Sequence, residues 1–386
     1  MLPDSALQES LLTQVGGPRL VDWHRHKGTS INADDYLALY RRLLDHGISQ
    51  CLRIYLDTNY WIGLRDAEMG RGSDEKRELL RQIRQVVRAR QAICVGHVST
   101  ISELSKQEGE SLKATARLYD ELTEGLVIAA PPELRFFELL QFMTSKSGQP
   151  APSTAPCWTK VGQALKSGLP NFMPGPCSES DRRVVQKCAL DALWNMRLED
   201  MFEQFGWEPT DKLDTAPDAG AIQQVEELKL SRKTKRRSRK KARVEEFSTL
   251  LHSTHLDEFI EHLLLLARGR PLDRHAATQS VTQAISFAID DFRCDRLGAL
   301  LPNAVISTEL YVLHESASME RKLTAKDWQD WQHAAVALPY CDYFFTERHL
   351  ANQLTSVLRL DTRYRCRVGS SVSYALEELR TLVQSK

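Results

Sequence analysis

The fold is constrained most by two short apolar β-rich runs, each of which is followed by a helical segment. The first run is Leu52–Asp57 and the second is Ala92–His97. A charged helical segment over 74–90 separates them, and another helix opens after Ser99 and Thr100. Strand, helix, strand, helix is the pattern of a parallel sheet with crossover helices. The sequence therefore predicts an α/β fold.

The α/β pattern stops near residue 143 and returns after residue 300. Six of the 15 prolines lie within 150–176, which predicts a loop there. Helical patterns then follow at about 181–205, 216–230, 244–268 and 277–300. We predict four regions: an N-terminal helical extension over 1–48, the first part of an α/β domain over 49–143, a mostly helical insertion with a proline-rich loop and a basic run over 144–300, and the second part of the α/β domain over 301–386.

The second part repeats the alternation of the first. After Pro302 the segments are an apolar run at Ala304–Leu313, a helix over Thr324–Leu338, a short aromatic strand at Tyr343–Thr346, an apolar run at Val357–Leu360 and a final helix from Ser371 to about Val383. The sheet is therefore expected to resume here. We predict that the two flanks form one domain, which the insertion splits.

Charge and composition exclude several classes of protein. Lys+Arg and Asp+Glu both total 51, so the chain is neither generally basic nor generally acidic. No apolar stretch approaches the 18 residues of a membrane span, and the first ten residues lack the basic and apolar segments of a secretory signal. The eight cysteines form no C-x-x-C pair, which is typical of a reduced compartment. These features predict a soluble cytoplasmic protein.

Several carboxylates follow or flank the predicted strands. Asp57 ends the first strand, Glu103 is predicted to lie in the first turn of the helix after the second, and Glu347 follows the aromatic strand. Asp327 and Asp330 lie three residues apart on one helix face. The carboxyl ends of parallel strands are where ligands bind, and clustered like charges repel unless a cation lies between them. Hard oxygen ligands select Mg²⁺ or Mn²⁺, so the sequence predicts a divalent metal site.

Four segments carry a resemblance to a known family. They are Tyr55–Asn59, Val98–Leu104, Asp330–Ala337 and Asp342–Glu347, and in this order they resemble the motifs of PIN-domain (PIN-like) nucleases. The resemblance implies a Rossmann-like fold with a central parallel sheet. It also implies an acidic pocket that binds divalent metal and hydrolyses phosphodiester bonds, usually in RNA.

The resemblance covers roughly 50–140 and 300–386, and it has departures. The family usually has an Asp two residues after the Thr of its last motif, where this chain has Arg348. Glu347 is then the acid nearest to that position. The helical insertion between the second and third motifs is also unusual, and it is expected either to shape the substrate channel or to cover it.

The predicted site follows from these acids and from the resemblance. The catalytic residues are Asp57, Glu103 and Asp330; the metal ligands are Asp57, Glu103, Asp327, Asp330 and Glu347; the supporting residues are Asn59 and Thr346. Each has a structural alternative. Thr100-x-x-Glu103 and Thr324-x-x-Asp327 both have the spacing of capping boxes. Asp57 could end its strand with an Asx-turn, and Asn59 could be a turn residue. His333, Trp328 and Trp331 are interpreted as packing residues.

A basic run lies within the insertion. Nine of the 12 residues in 232–243 are basic and none is acidic, so the rest of the chain carries 42 basic (51 − 9) against 51 acidic residues. The run is predicted to be an exposed loop or helix extension that contacts nucleic-acid phosphates, with a solvated linker or a localisation patch as the alternative. The predicted nucleic-acid-binding residues are Arg232, Lys233, Lys235, Arg236, Arg237, Arg239, Lys240, Lys241 and Arg243.

These features lead to one principal hypothesis and several alternatives. The principal one is a metal-dependent endoribonuclease with a two-metal-type acidic pocket. A further hypothesis is that this nuclease is toxin-like or defence-related and is held inactive by an inhibitory protein partner or by its own insertion. RNA is the favoured nucleic acid, and a homo-oligomer is compatible with the sequence. The alternatives are a DNA nuclease that uses the same pocket and a catalytically silent RNA-binding or scaffold protein. A haloacid-dehalogenase-type phosphatase needs an Asp where Asn59 stands and is disfavoured.

Overall fold

A computed structural model describes residues 17–26, 31–148, 154–165, 178–205, 238–266, 272–316 and 323–384. These residues form a mixed α/β structure. The strands are β1 (Leu52–Leu56), β2 (Ala92–Val95), β3 (Leu126–Ile128), β4 (Trp158–Lys160), β5 (Tyr343–Phe345) and β6 (Arg367–Gly369). The helices are α1 (Gly17–His26), α2 (Ala33–Ile48), α3 (Thr58–Glu68), α4 (Asp74–Arg88), α5 (Val98–Leu104), α6 (Gly109–Thr123), α7 (Pro131–Lys146), α8 (Val161–Leu165), α9 (Glu179–Asn195), α10 (Leu198–Phe205), α11 (Arg239–Thr249), α12 (Leu256–Leu266), α13 (Arg274–Arg293), α14 (Pro302–Ser316), α15 (Ala325–Tyr340), α16 (Arg348–Asn352), α17 (Leu360–Tyr364) and α18 (Val372–Gln384).

The main sheet has four parallel strands in the order β2-β1-β5-β6. Ile54 pairs with Tyr343 and Leu56 pairs with Phe345, so β1 and β5 lie side by side in the middle of the sheet. This pairing joins the first α/β segment of the chain to the second across the whole insertion. The predicted strands at 52–57, 92–97 and 343–346 are confirmed, and so is the predicted helix at 74–90.

The two faces of the sheet belong to two separate hydrophobic clusters. Tyr55 and Phe344 point to one face, where they pack with residues of α14 and α15. Ile54, Leu56 and Phe345 point to the other face, where α3, α4, α6 and α18 cover them. Alternate residues of a strand face opposite sides, and a parallel sheet is normally covered by helices on both. Burying each large apolar side chain stabilises the fold by about 1.5–3 kcal/mol.

A third hydrophobic cluster is formed mostly by helices. It contains Phe247, Phe259 and Phe292 from α11–α13, together with Phe142 of α7 and Val305 of α14. The described part of 144–300 is therefore mostly helical, as predicted, and its core is completed by helices on either side of it. The predicted helix at 216–230 lies outside the described residues.

Two short strands form a second sheet that the sequence pattern did not indicate. β3 and β4 pair antiparallel, with Val127 opposite Thr159. The backbone of Gly96, just after β2, bonds to Leu126 and Ile128 of β3. The prediction of a loop throughout 150–176 is therefore wrong at 158–165. Three residues are too few to show a period of two, so the pairing depends on tertiary contacts.

Two further apolar runs have a conformation other than strand. Ala304–Leu313 lies inside α14, where its residues are buried on several sides of the helix. Val357–Leu360 lies at the end of a π turn (Gln353–Val357) and the start of α17, and β6 forms instead at Arg367–Gly369. Within the part of the chain that the structure describes, no helix is both long and apolar enough to cross a bilayer.

The N-terminal helices dock on the helical insertion through one buried carboxylate. Asp191 of α9 accepts hydrogen bonds from the hydroxyls of Tyr36 and Tyr40 of α2, at 2.9 and 2.6 Å. Its other oxygen lies 2.7 Å from Nε2 of His24 of α1. A buried carboxylate is stable when its oxygens are paired in this way, so this cluster fixes the extension in place.

Candidate metal centre

The candidate site lies at the carboxyl ends of β1 and β5. The chain leaves β1 towards β2 on one side, and it leaves β5 towards β6 on the other. In an open parallel sheet, this divergence creates the crevice in which ligands bind. Asp57 follows β1, and Thr346 and Glu347 follow β5, so the structure brings these three predicted residues to one edge.

Asp57 is buried and acts as the N-cap of α3. Its Oδ1 accepts a hydrogen bond from the backbone N–H of Thr58 at 2.6 Å. Its Oδ2 accepts one from the hydroxyl of Thr346 at 2.8 Å. The predicted supporting role of Thr346 is therefore matched by a direct contact. Both oxygens keep a further lone pair, because a carboxylate can accept about four hydrogen bonds or ligand bonds in total.

Glu103 reaches the centre from α5. This helix begins at Val98 with His97 as its N-cap, so Glu103 lies in the second turn. The prediction that it lies in the first turn is wrong, and so is the capping-box alternative, because Thr100 is already inside the helix. Its Oε2 accepts a hydrogen bond from the hydroxyl of Thr58, the residue after Asp57.

His333 faces the same point from α15, although its sequence context indicated a packing role. A helix that precedes a strand begins at the carboxyl edge of the sheet, so the first half of α15 lies there. The His333 ring is fully buried, and its Nε2 lies 3.5 Å from Oε2 of Glu103. Ligand atoms of Asp57, Glu103 and His333 all lie within 4.8 Å of one another. The sequence feature that could have identified His333 as a site residue is its position one turn after Asp330, on the same helix face.

The other nitrogen of His333 is held by a second residue of β1. Nδ1 lies 2.7 Å from the hydroxyl of Tyr55, which in turn lies 3.0 Å from Oγ1 of Thr100. When Nδ1–H donates to Tyr55 and Tyr55 donates to Thr100, the Nε2 lone pair points to the centre. Nε2 has no hydrogen-bond partner among the described residues. This is how metal-binding histidines are usually oriented.

Asp330 and Glu347 are two further carboxyl groups that lie beside this group. Burial, together with Glu347 and Asp57, raises the pKa of Asp330 to about 8. Glu347 stands at the N-cap position of α16 without a side-chain capping hydrogen bond, and it pairs with Lys326, whose Nζ lies 2.6 Å from Oε2. Asp330 therefore holds a proton near neutral pH, because burial disfavours its charged form and Glu347 and Asp57 add like charge beside it.

Glu103 and His333 influence each other's protonation. Burial favours the neutral imidazole, but Glu103 and Asp57 outweigh it and raise the pKa of His333. Burial also opposes the charged form of Glu103, but His333 and Thr58 outweigh it and lower the pKa of that carboxyl. Both directions have one cause, the attraction between the carboxylate of Glu103 and the protonated form of the imidazole, and a cation bound between the two groups would take the place of that proton.

The remaining predicted residues of the pocket have structural roles. Asp327 forms a capping box with Thr324, which confirms the alternative for this acid. Asn59 is exposed in the first turn of α3 and makes no side-chain hydrogen bond among the described residues. Trp331 is buried in the core and Trp328 packs against that core, as interpreted from the sequence.

The basic run is described only in part. Arg232, Lys233, Lys235, Arg236 and Arg237 lie outside the described residues. Arg239, Lys240 and Lys241 are exposed in the first turn of α11. Arg243 instead donates to Glu309 at 2.7 Å and lies over the ring of Phe292. The prediction that the whole run stays out of the packed structure is therefore wrong at Arg243, which joins α11 to α13 and α14.

No family model, no curated protein and no solved structure matches this chain. The resemblance to PIN-like nucleases therefore rests on the four motifs alone. A function for the chain must be argued from the chemistry of the centre.

Proposed function

We propose that this chain is a divalent-metal-dependent endoribonuclease whose α/β part is a Rossmann-like domain of PIN type. The observation that carries the proposal is the buried group Asp57–Glu103–His333 at the carboxyl ends of two adjacent parallel strands. Asp330 and Glu347 lie beside this group. A buried carboxylate is stabilised by hydrogen bonds or by a cation, and the carboxyl ends of the strands are where an open parallel sheet binds its ligands.

The charges of the centre support a bound cation. Asp57, Glu103, Asp330 and Glu347 are four carboxylates, and Lys326 pairs with only one of them. Burial and the neighbouring carboxylates Glu347 and Asp57 raise the pKa of Asp330. Asp57 and Glu103 would hold the ion through oxygen, with Nε2 of His333 as a nitrogen donor. Carboxylates suit Mg²⁺ and Mn²⁺, and an added imidazole favours the transition metal.

The roles of the side chains follow from these contacts. A bound divalent ion polarises the phosphate and makes a water molecule more acidic. Thr58 and Thr346 orient the carboxylates of Glu103 and Asp57 by donating hydrogen bonds to them. Tyr55 fixes the ring of His333. Asp330, with a pKa raised to about 8, holds a proton near neutral pH and is suited to giving it up during the reaction.

A test of the function is the cleavage of labelled single-stranded RNA and of DNA of the same sequence. We expect cleavage of RNA in Mn²⁺ or Mg²⁺ and none in EDTA. Faster cleavage of DNA would favour the DNA-nuclease alternative. If the protein binds Mn²⁺ but cleaves neither RNA nor DNA, the proposal is contradicted and the silent RNA-binding alternative is favoured. The presence of Arg348 at the position of the family's last acid also favours that alternative.

The nitrogen ligand gives a separate prediction. His333→Gln removes the Nε2 donor, so we expect the affinity for Mn²⁺ to fall by about tenfold or more, since even changes in groups that only orient a ligand cost 10- to 100-fold. The affinity for Mg²⁺, which prefers oxygen, should fall less. The measurement is calorimetric titration with each ion, and His275→Gln at an exposed position of α13 is the control. Equal Mn²⁺ affinity in wild type and His333→Gln would show that the imidazole is not a ligand.

A further inference from the structure

A second concave surface adjoins the metal centre at the same edge of the sheet. It is an open groove of about 350 Å³ between α16, the π turn that follows it, the end of β6 and the start of α18. Its lining is polar and includes Arg348, Asn352, Thr355, Ser370, Ser371 and Tyr374. Nothing in the proposed hydrolysis uses these residues.

The groove is connected to the centre through one short chain of hydrogen bonds. The backbone N–H of Thr346 donates to the carbonyl of Gly369 in the groove at 2.9 Å. The hydroxyl of the same threonine donates to Asp57 at 2.8 Å. Arg348 directly follows Glu347 in the chain. A strand of nucleic acid with one phosphate at the metal centre therefore has this groove beside it.

The shape of the groove depends on the absence of a side chain at Gly369. A Cβ atom at this position would lie 2.0 Å from Cδ1 of Tyr374. The glycine therefore lets the Tyr374 ring lie against the end of β6. Ser371 accepts a hydrogen bond from the backbone N–H of Tyr374, which fixes the start of α18 at the groove wall.

The charge of the groove is opposite to that of the centre. None of its lining residues is acidic. Arg348 is exposed, and no ion pair or hydrogen bond to another described residue engages its guanidinium. A larger groove of about 720 Å³ between α3 and α4 has four arginines, but all four form ion pairs with neighbouring carboxylates. Arg348 is thus available to an anionic ligand, whereas those arginines are already engaged.

We propose that this groove binds a backbone phosphate of the RNA strand next to the phosphate that is hydrolysed. The inference rests on the proposed function, because it names how the substrate of that centre is held. An arginine fork matches the phosphate geometry, and serine, threonine and asparagine side chains add neutral donors. A centre with four carboxylates repels a polyanion, so a cation beside it stabilises the bound strand.

The test is RNA binding measured in EDTA, where no metal-dependent cleavage occurs. The probe is a short fluorescent single-stranded RNA, and its anisotropy is followed at several salt concentrations. For Arg348→Ala we expect a dissociation constant raised about five- to tenfold, and a salt slope reduced by about 0.7, the value for one phosphate contact on a single strand. Arg348→Lys keeps the charge and should recover the slope but only part of the affinity.

The matched control is Arg42→Ala, which removes an exposed arginine from α2 without touching the groove. An unchanged affinity and slope in Arg348→Ala would overturn the proposal, and so would an equal loss in Arg42→Ala or a wild type that binds no RNA. Displacement of the RNA by inorganic phosphate at a concentration similar to that of the RNA would overturn the proposal in favour of a small-anion site. If the wild type cleaves no RNA in Mn²⁺ or Mg²⁺ but Arg348→Ala still weakens RNA binding, the result would contradict the nuclease but not the groove.

Discussion

Asp57→Asn is expected to lower the rate of metal-dependent RNA cleavage by more than about 100-fold. Mutation of a residue that only positions a metal ligand already lowers metal affinity or activity by up to that factor. The fold should survive. Asparagine keeps the Oδ1 that caps α3, and the hydroxyl of Thr346 can turn to accept a hydrogen bond from the new amide. The measurement is the cleavage rate in Mn²⁺, at matched circular dichroism and matched thermal unfolding.

The control for this variant lies at the opposite edge of the same two strands. Asp342 precedes β5 and accepts hydrogen bonds from the backbone and the guanidinium of Arg53 at 2.8 and 3.0 Å. Asp342→Asn makes the same chemical change far from the crevice, and it should keep its activity. Equal loss in both variants would indicate general damage to the sheet. Full activity in Asp57→Asn would show that RNA cleavage does not occur at this centre.

Asp330→Asn is expected to stabilise the metal-free protein at pH 8. The ordinary pKa of an aspartate is about 3.9, and in the folded chain that of Asp330 is raised to about 8. Between these values the folded state holds a proton that the unfolded state has released. The free energy of unfolding therefore falls as the pH rises through this window. Asparagine removes the penalty, and we expect a gain of about 1–3 kcal/mol in EDTA at pH 8, shrinking towards zero near pH 4.

Added Mn²⁺ should reverse this order of stability. Binding to the folded state alone stabilises it in proportion to the logarithm of the metal concentration, and the variant binds less metal. Urea unfolding at pH 5 and pH 8, with EDTA or Mn²⁺, measures both effects. Asp290→Asn, at an exposed position of α13, is the control. An Asp330→Asn variant that is no more stable than wild type in EDTA at pH 8 would show that the carboxylates do not repel one another there.

The sequence was informative where chemistry is encoded locally. Asp57 follows an apolar strand and precedes a helix, so its place at the carboxyl edge could be predicted from neighbouring residues alone. β1, β2 and β5 could be predicted in the same way, because each has three or more apolar residues in succession. The capping box of Asp327 is also local, since both partners lie within one helical turn.

Other features depend on partners that are distant in sequence. The orientation of His333 is set by Tyr55, 278 residues earlier. β6 contains Arg367 and Gly369 and has no apolar run, so it forms only because β5 offers its edge. The start of α5 could not be placed either, because His97 caps it with a ring nitrogen rather than with the oxygen of a usual capping residue.

The most direct test of the central claim is the binding of Mn²⁺ to the purified protein, followed by the electron paramagnetic resonance signal of the free ion. We predict that wild-type protein removes the signal in a stoichiometric and saturable way. Asp57→Asn should leave the signal nearly unchanged, and Asp342→Asn should behave as wild type. Equal binding by wild type and Asp57→Asn, or no binding by either, would contradict the assignment of this centre as a metal site.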